Sequence, residues 1–329
     1  MPAAVFNKET NLLQMKTEHW SMASLALKSA KKSGMKVMLR VGSFGDSEMH
    51  PKELTRVAKN AQLTAKFVQG VVEFVSKYDF DGIAISWIWV GCPQVGICTQ
   101  DIDRKSVVSF LRALATPFKV TGKTVIYHMN GVFSNTIMVS GDYFSEIVDV
   151  IDYFYFECHL QTAGDWLPTT DFSFNLKKTR DLISELMTKI KKGSEFRRKL
   201  VLTIQPNYKN YELSDQKTLK IGTVFVKNSK MQKSLIMSEW CKLIKDPSYQ
   251  LIKNASMQNY AVKANNLFIF DDQESLTAKV DFVMEIGAGV GMHDFTTDDV
   301  NGECGCGRMP FLRLIVNILK MDCEPISCF

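Results

Sequence analysis

Short runs of strand-forming residues alternate with longer amphipathic stretches through most of this chain, and few architectures accept that order. AAVF (3–6) is the first strand candidate, followed by a helix through EHWSMASLALKSAKKSG with Gly34 as its C-terminal cap. KVMLRVG (36–42) predicts a strand, PKELTRVAKNAQLTAKFVQGVVEFVSKY (51–78) a helix and GIAISWIWV (82–90) a strand. The order then returns: a helix in SVVSFLRALATPF, strands TVIYHM (124–129) and DYFYFECHL (152–160), a helix through LKKTRDLISELMTKIKKG and strand KLVLTI (199–204). Strand, helix, strand at this spacing predicts an α/β fold whose parallel sheet closes as a (β/α)8 TIM barrel.

From about residue 208 to 270 the cadence breaks into lysine-rich sequence with short β-like pieces. This predicts a small α+β insertion between the seventh and eighth strands. VGMHDF (290–295) and a helix in PFLRLIVNILK then complete the barrel. The expected organisation is barrel strands two to seven in 1–207, the insertion in 208–270 and barrel closure in 271–329. Counted back from the end, AAVF becomes the second strand, so the barrel lacks its first strand and helix. Such a barrel exposes two edges, and we expect an N-terminally truncated gene model that has lost an export signal.

With 329 residues, 46% hydrophobic and 23% charged, the chain has the composition of a soluble globular protein with a large core. The formal charge of +5 comes from 40 basic and 35 acidic residues spread along the chain, with no basic arm or stripe, so nucleic acid is not expected as a partner. No apolar run reaches the roughly 18 residues of a membrane span, and MPAAVFNKET lacks the pattern of a signal peptide. Cys241, Cys304, Cys306, Cys323 and Cys328 crowd the C-terminal third, where disulfides would tie loops together; buried free thiols are the alternative. Cys304-x-Cys306 and Cys92-x5-Cys98 lack zinc-site spacing, and neither a metal nor another cofactor is expected. Asn254-Ala255-Ser256 is a glycosylation sequon.

The strand in YDFDGIAISWIWVG (78–91) is where function should show. By alternation Ala84, Ser86 and Ile88 share the inward face, and Ile83, Ile85 and Trp87 the other. Phe80-Asp81-Gly82 and the pattern after it resemble the F-D-G-x-D-x-D-W-E strand of the glycoside hydrolase family 18 chitinases. KVMLRVGSF is similar to the family's third strand, DYFYFECHLQ to its sixth and KLVLTIQPNY to its seventh. MSEWC (237–241) is similar to Y-S-E-I-C of the inserted domain, and the segment from FDDQES through DDVNGECG to the family's last strand and D-D-x-x-G-x-C-G tail.

The resemblance implies a retaining hydrolase in which the substrate's acetamido group is the nucleophile and a glutamic acid protonates the leaving oxygen. Here Ala84 and Ser86 stand at the aspartate positions and Ile88 at that of the acid. We therefore expect a pseudoenzyme without chitinase activity, since a positioned general acid alone contributes about 10²–10⁴-fold. The family's sixth-strand tyrosine corresponds to His159 and its subsite tryptophan to His293, so sugar contacts there are weakened. Trp89 and Trp166 are candidates to stack on sugar faces. The family's disulfide would join Cys241 to Cys304, with Cys306 as an alternative.

Arg40 replaces an inward serine of the family and Glu157 an inward methionine. A lone buried charge is costly, so the two are expected to pair in the space left at Ala84. His128, His159 and His293 fall near strand ends beside Glu157, but no spacing motif makes them metal ligands. Two functions remain in view. One is a secreted, non-catalytic lectin or modulator in cuticle or defence, whose partner is chitin, a chito-oligosaccharide or a protein. The other is a different enzyme using His159 and Glu157 on the same barrel.

Overall fold

The computed structural model describes residues 4–7, 9–10, 12–15, 17–42, 51–87, 104–130, 141–158, 169–172, 174–205, 208–215, 217–227, 229, 233–254 and 257–321. Its central element is a six-stranded sheet built from β3 (Met38–Val41), β4 (Gly82–Ser86), β5 (Thr124–Asn130), β6 (Tyr153–Glu157), β7 (Leu200–Ile204) and β13 (Gly289–Met292). The strands lie in the order β13-β7-β6-β5-β4-β3, with parallel registers for β3–β4, β4–β5 and β7–β13. Helices alternate with them, as in a TIM-barrel-like α/β fold. The chain forms two compact units, 1–155 with 186–200 and 156–185 with 201–329.

In the first unit AAVF departs from expectation. β1 (Ala4–Asn7) pairs antiparallel with β2 (Leu12–Met15) in a sheet of their own, and is not a strand of the described parallel sheet. The Asn7 side-chain oxygen accepts from the amides of Glu9 and Thr10, turn chemistry that favours a hairpin over a barrel strand. α1 (Thr17–Lys32) stops before Gly34, whose φ of 76° only glycine adopts without strain.

The single helix predicted over 51–78 is two, α2 (Pro51–Ala58) and α3 (Ala61–Lys77). Asn60 between them is extended, and its side chain caps α3 by accepting from the Leu63 amide at 3.0 Å. α3 buries Thr64, Phe67, Val71, Phe74 and Val75, the stripe that a 3.6-residue period demands. α4 (Arg104–Val120) does the same with Val107, Phe110, Leu111, Leu114 and Phe118. α5 (Gly141–Ile147) and α7 (Gly193–Lys199) meet over Phe144, Phe154 and Phe196, rings 4.7–5.7 Å apart.

The second unit contains most of α6 (Leu176–Lys189) and the antiparallel sheet that the lysine-rich segment forms: β8 (Tyr208–Glu212), β9 (Lys233–Leu235), β10 (Gln250–Asn254), β11 (Gln258–Lys263) and β12 (Asn266–Phe270), in the order β10-β11-β12-β8-β9. α8 (Met237–Leu243) interrupts these strands, and α9 (Gln273–Glu285) and α10 (Pro310–Leu319) follow them. Lys279 and Asp271 form a fully buried ion pair at 2.6 Å, to which Ser275 adds a hydrogen bond at 2.7 Å. Such a pair is tolerable because the charge is matched and hydrogen-bonded. A disulfide joins Cys241 of α8 to Cys304, and Cys306 is also disulfide-bonded. In the loop before α10, the Asp299 carboxylate accepts from the amides of Glu303 and Cys304.

Candidate functional site

β4 begins with the triplet Phe80-Asp81-Gly82. Gly82 is buried where a Cβ would lie 1.9 Å from the Thr124 carbonyl oxygen, so no other residue lets β4 and β5 approach this closely. Beyond it, Ile83, Ile85 and Trp87 are fully buried, and Trp87 packs edge-on against Phe110 of α4 at 5.4 Å. That side of the strand is packing surface. Ala84 and Ser86 point to the other side, and the registers set Arg40, Ala84 and Ile126 in one row and Ser86 with His128 in the next. No side chain on that face of β4 from Gly82 to Ser86 can ionise. Ser86 is fully buried, and its hydroxyl finds no hydrogen-bond partner among the described residues.

His128 is buried edge-on to Tyr155 at 4.9 Å, a packed histidine in the first unit. In the second unit Glu157 is buried, with one carboxylate oxygen 3.5 Å from Nδ1 of His293, whose side chain is 29% exposed. The His293 amide is fixed by the Ile204 carbonyl at 3.0 Å. Arg40 is exposed and in register with Ala84, and Glu157 is buried beside His293. The next residue, Cys158, donates its amide to Thr203 Oγ1 at 3.2 Å. Burial first, and then the Glu157 charge, push its thiol far above the ordinary range, so it stays protonated and inert.

Ile88, Trp89, His159, Trp166, Cys92, Cys98, Cys323 and Cys328 lie outside the described residues, as do two of the three sequon positions. Among the described residues no group of three or more His, Cys, Asp or Glu side chains could hold a metal ion. The sequence placed His128, His159 and His293 near strand ends beside Glu157, and the structure sets His293 against that carboxylate. Strand alternation alone did not say which histidine would make the contact.

The model of "Glycosyl hydrolases family 18" matches residues 6–298. The chain belongs to this family. Among curated family 18 proteins, it is 23% identical to an endochitinase of Brugia malayi over 313 residues, covering 88% of this chain and 59% of that protein's length. Among solved structures of the family 18 fold, catalytic domain 2 of the Ostrinia furnacalis Group II chitinase, in complex with penta-N-acetylchitooctaose, superposes with a TM-score of 0.82 at 19% identity. The match covers 99% of this chain and 89% of that one. Human YKL-39, described as a pseudo-chitinase with retained chitooligosaccharide binding properties, superposes with a TM-score of 0.78 at 16% identity, covering 97% and 90% of the two chains. At these identities the superpositions establish the family 18 fold.

Proposed function

We propose that this family 18 protein cleaves no glycosidic bond and serves outside the cell as a lectin for chito-oligosaccharide. The observation that carries this reading is the uncharged face of β4. Ala84 and Ser86 occupy it, and the residue that continues the alternation, Ile88, has no proton to give a leaving oxygen. Without a carboxylic acid the protein lacks a contribution of about 10²–10⁴-fold. Without a neighbouring carboxylate, the developing charge on a sugar ring has no electrostatic partner on this strand.

Six parallel strands with their helices are described around that site, and YKL-39 is a precedent in this fold for binding without turnover. Trp89, Trp166, His159 and His293 are the residues we assign to sugar contact. The Cys241–Cys304 disulfide suits an oxidising compartment. The test is twofold: purified protein is incubated with a fluorogenic chitobioside, and titrated with chito-oligosaccharide in a calorimeter. No release of fluorophore with measurable heat of binding is expected. Sustained hydrolysis by contaminant-free protein would sink the proposal, and no binding at millimolar sugar would leave a protein-directed role.

The Glu157–His293 contact favours one second reading, a different enzyme in which this carboxylate and imidazole, with His159, move a proton. A hydrolase and isomerase screen in which any activity disappears in Glu157→Gln would choose that reading.

A further inference from the structure

Beside its buried stripe, α3 carries a second apolar one: Ala61, Ala65, Val68 and Val72 recur at the spacing of one helix face, and none of the four is fully buried. Ser109 and Ala113 of α4 stand opposite, and between the two helices runs a solvent-open groove of about 890 Å³. Small side chains on both walls leave a trough where larger ones would have interdigitated. Buried Thr64 and Phe110 form its base, and Phe110 also packs on Trp87. The groove thus lies behind the packing side of β4, opposite the face that Ala84 and Ser86 share.

Charge distinguishes the two ends of this trough. Short turns lead from α3 into β4 and from α4 into β5, and those strands are parallel, so both helices start at the same end. Lys59 and Lys105 line the groove there, both exposed, and the two helix starts add positive potential. The acid of the lining, Glu73, lies about three turns further along α3, where it accepts from Gln69 Nε2 at 2.9 Å. Apolar side chains fill the interval, so the groove is cationic at one end and hydrocarbon along its length.

We propose that this groove holds a free fatty acid, its carboxylate between Lys59 and Lys105 and its chain along Ala65, Val68, Val72 and Ala113. From Ala61 to Glu73 the α3 wall is about 18 Å long, and one acyl chain spans about 15 Å, half the hydrocarbon core of a bilayer. The volume falls in the range of about 300–1,000 Å³ typical of small-molecule sites. Burial of methylenes supplies the affinity, and the ammonium groups fix the direction of the chain. A protein partner fits less well: no side chain of the lining is a large exposed hydrophobic, whereas interface cores are built on aromatic and methionine anchors. A sugar fits less well too, because the one ring of the lining, Phe110, is buried.

The probe is cis-parinaric acid, a fluorescent fatty acid, titrated into the full chain and displaced by palmitate. Wild type should bind it, and palmitate should compete. The double variant Ala65→Phe, Ala113→Phe fills the trough from two exposed positions and should lose at least about tenfold in affinity at unchanged melting temperature. The double variant Lys59→Gln, Lys105→Gln should weaken palmitate about fivefold and leave hexadecanol, which has the chain without the charge, unchanged. Lys28→Gln, Lys36→Gln removes equal charge from exposed positions of the same unit outside the lining and should change neither. If the phenylalanine variant melts lower, the palmitate and hexadecanol responses of the lysine variant decide alone. No binding by wild type, equal loss of both ligands in the lysine variant, equal loss in the control variant, or undiminished binding by a folded phenylalanine variant would overturn the proposal. A dimer, or attachment to phosphatidylserine vesicles, that takes the place of fatty-acid binding and is abolished by the phenylalanine variant would overturn the assigned occupant.

Discussion

The Asp81 carboxylate accepts the Val37 amide at 2.8 Å, while the Asp81 amide donates to the Val37 carbonyl at 2.9 Å. Asp152 and Val125 make the same double contact, at 2.7 and 2.9 Å. In each pair the aspartate just before one strand fastens the start of its neighbour. The aspartate of Phe80-Asp81-Gly82 is therefore part of the scaffold.

Asp81→Ala should cost about 1–3 kcal/mol, because it leaves the Val37 amide without its acceptor. Urea unfolding measures this, and chito-oligosaccharide binding by the folded variant should not change. A shift of the midpoint no larger than that of an exposed surface variant would show the contact to be incidental.

Ser86→Ala should be neutral or stabilising, by up to about 1 kcal/mol, since the hydroxyl is buried without a partner among the described residues. Thermal melting of the two proteins decides it. A clear loss of stability would mean that Ser86 makes a bond that the described residues do not supply.

The Cys241–Cys304 bridge closes a loop of 63 residues, for which chain entropy predicts about 4 kcal/mol of stabilisation. The double variant Cys241→Ala, Cys304→Ala should unfold at correspondingly lower denaturant. It should also lose sensitivity of this region to reductant, followed by hydrogen exchange in α8. Unchanged denaturation would contradict that expectation.

Stability should fall on the acid side through Asp272, the N-cap of α9. Burial opposes ionisation of its carboxyl most strongly, but the Lys253 ammonium at 2.7 Å and the Ser275 amide outweigh it and hold the group below its ordinary value of 3.8. A depressed carboxyl stabilises the fold above its unfolded value and loses that contribution as pH falls through the folded one. Unfolding midpoints from about pH 5 to about pH 2 should therefore decline. In Lys253→Ala the decline should be shallower; an identical slope would remove Lys253 from the account.

The order of strands and helices is legible in the sequence because periodicity is a local property: Ile83, Ile85 and Trp87 read as packing surface, and Trp87 does pack on Phe110. The helix expected over 51–78 is two because Asn60 breaks it by a capping bond, which hydrophobic period alone does not reveal. AAVF reads as a barrel strand because a strand's partner is not encoded in the strand, and the Asn7 turn sends it to β2 instead.

By itself the sequence determined the chemistry available on the face of β4 that Ala84 and Ser86 share, because a methyl and a hydroxyl cannot donate a carboxylic proton in any fold. It also determined the alternation that makes a parallel sheet, since 3.6- and 2-residue periods are properties of the chain. Only the tertiary structure decided what stands beside what: Glu157 with His293, and Asp81 with Val37. Those contacts join residues far apart in the chain, and distance along the chain carries no information about them until burial of the apolar surface has brought the elements together.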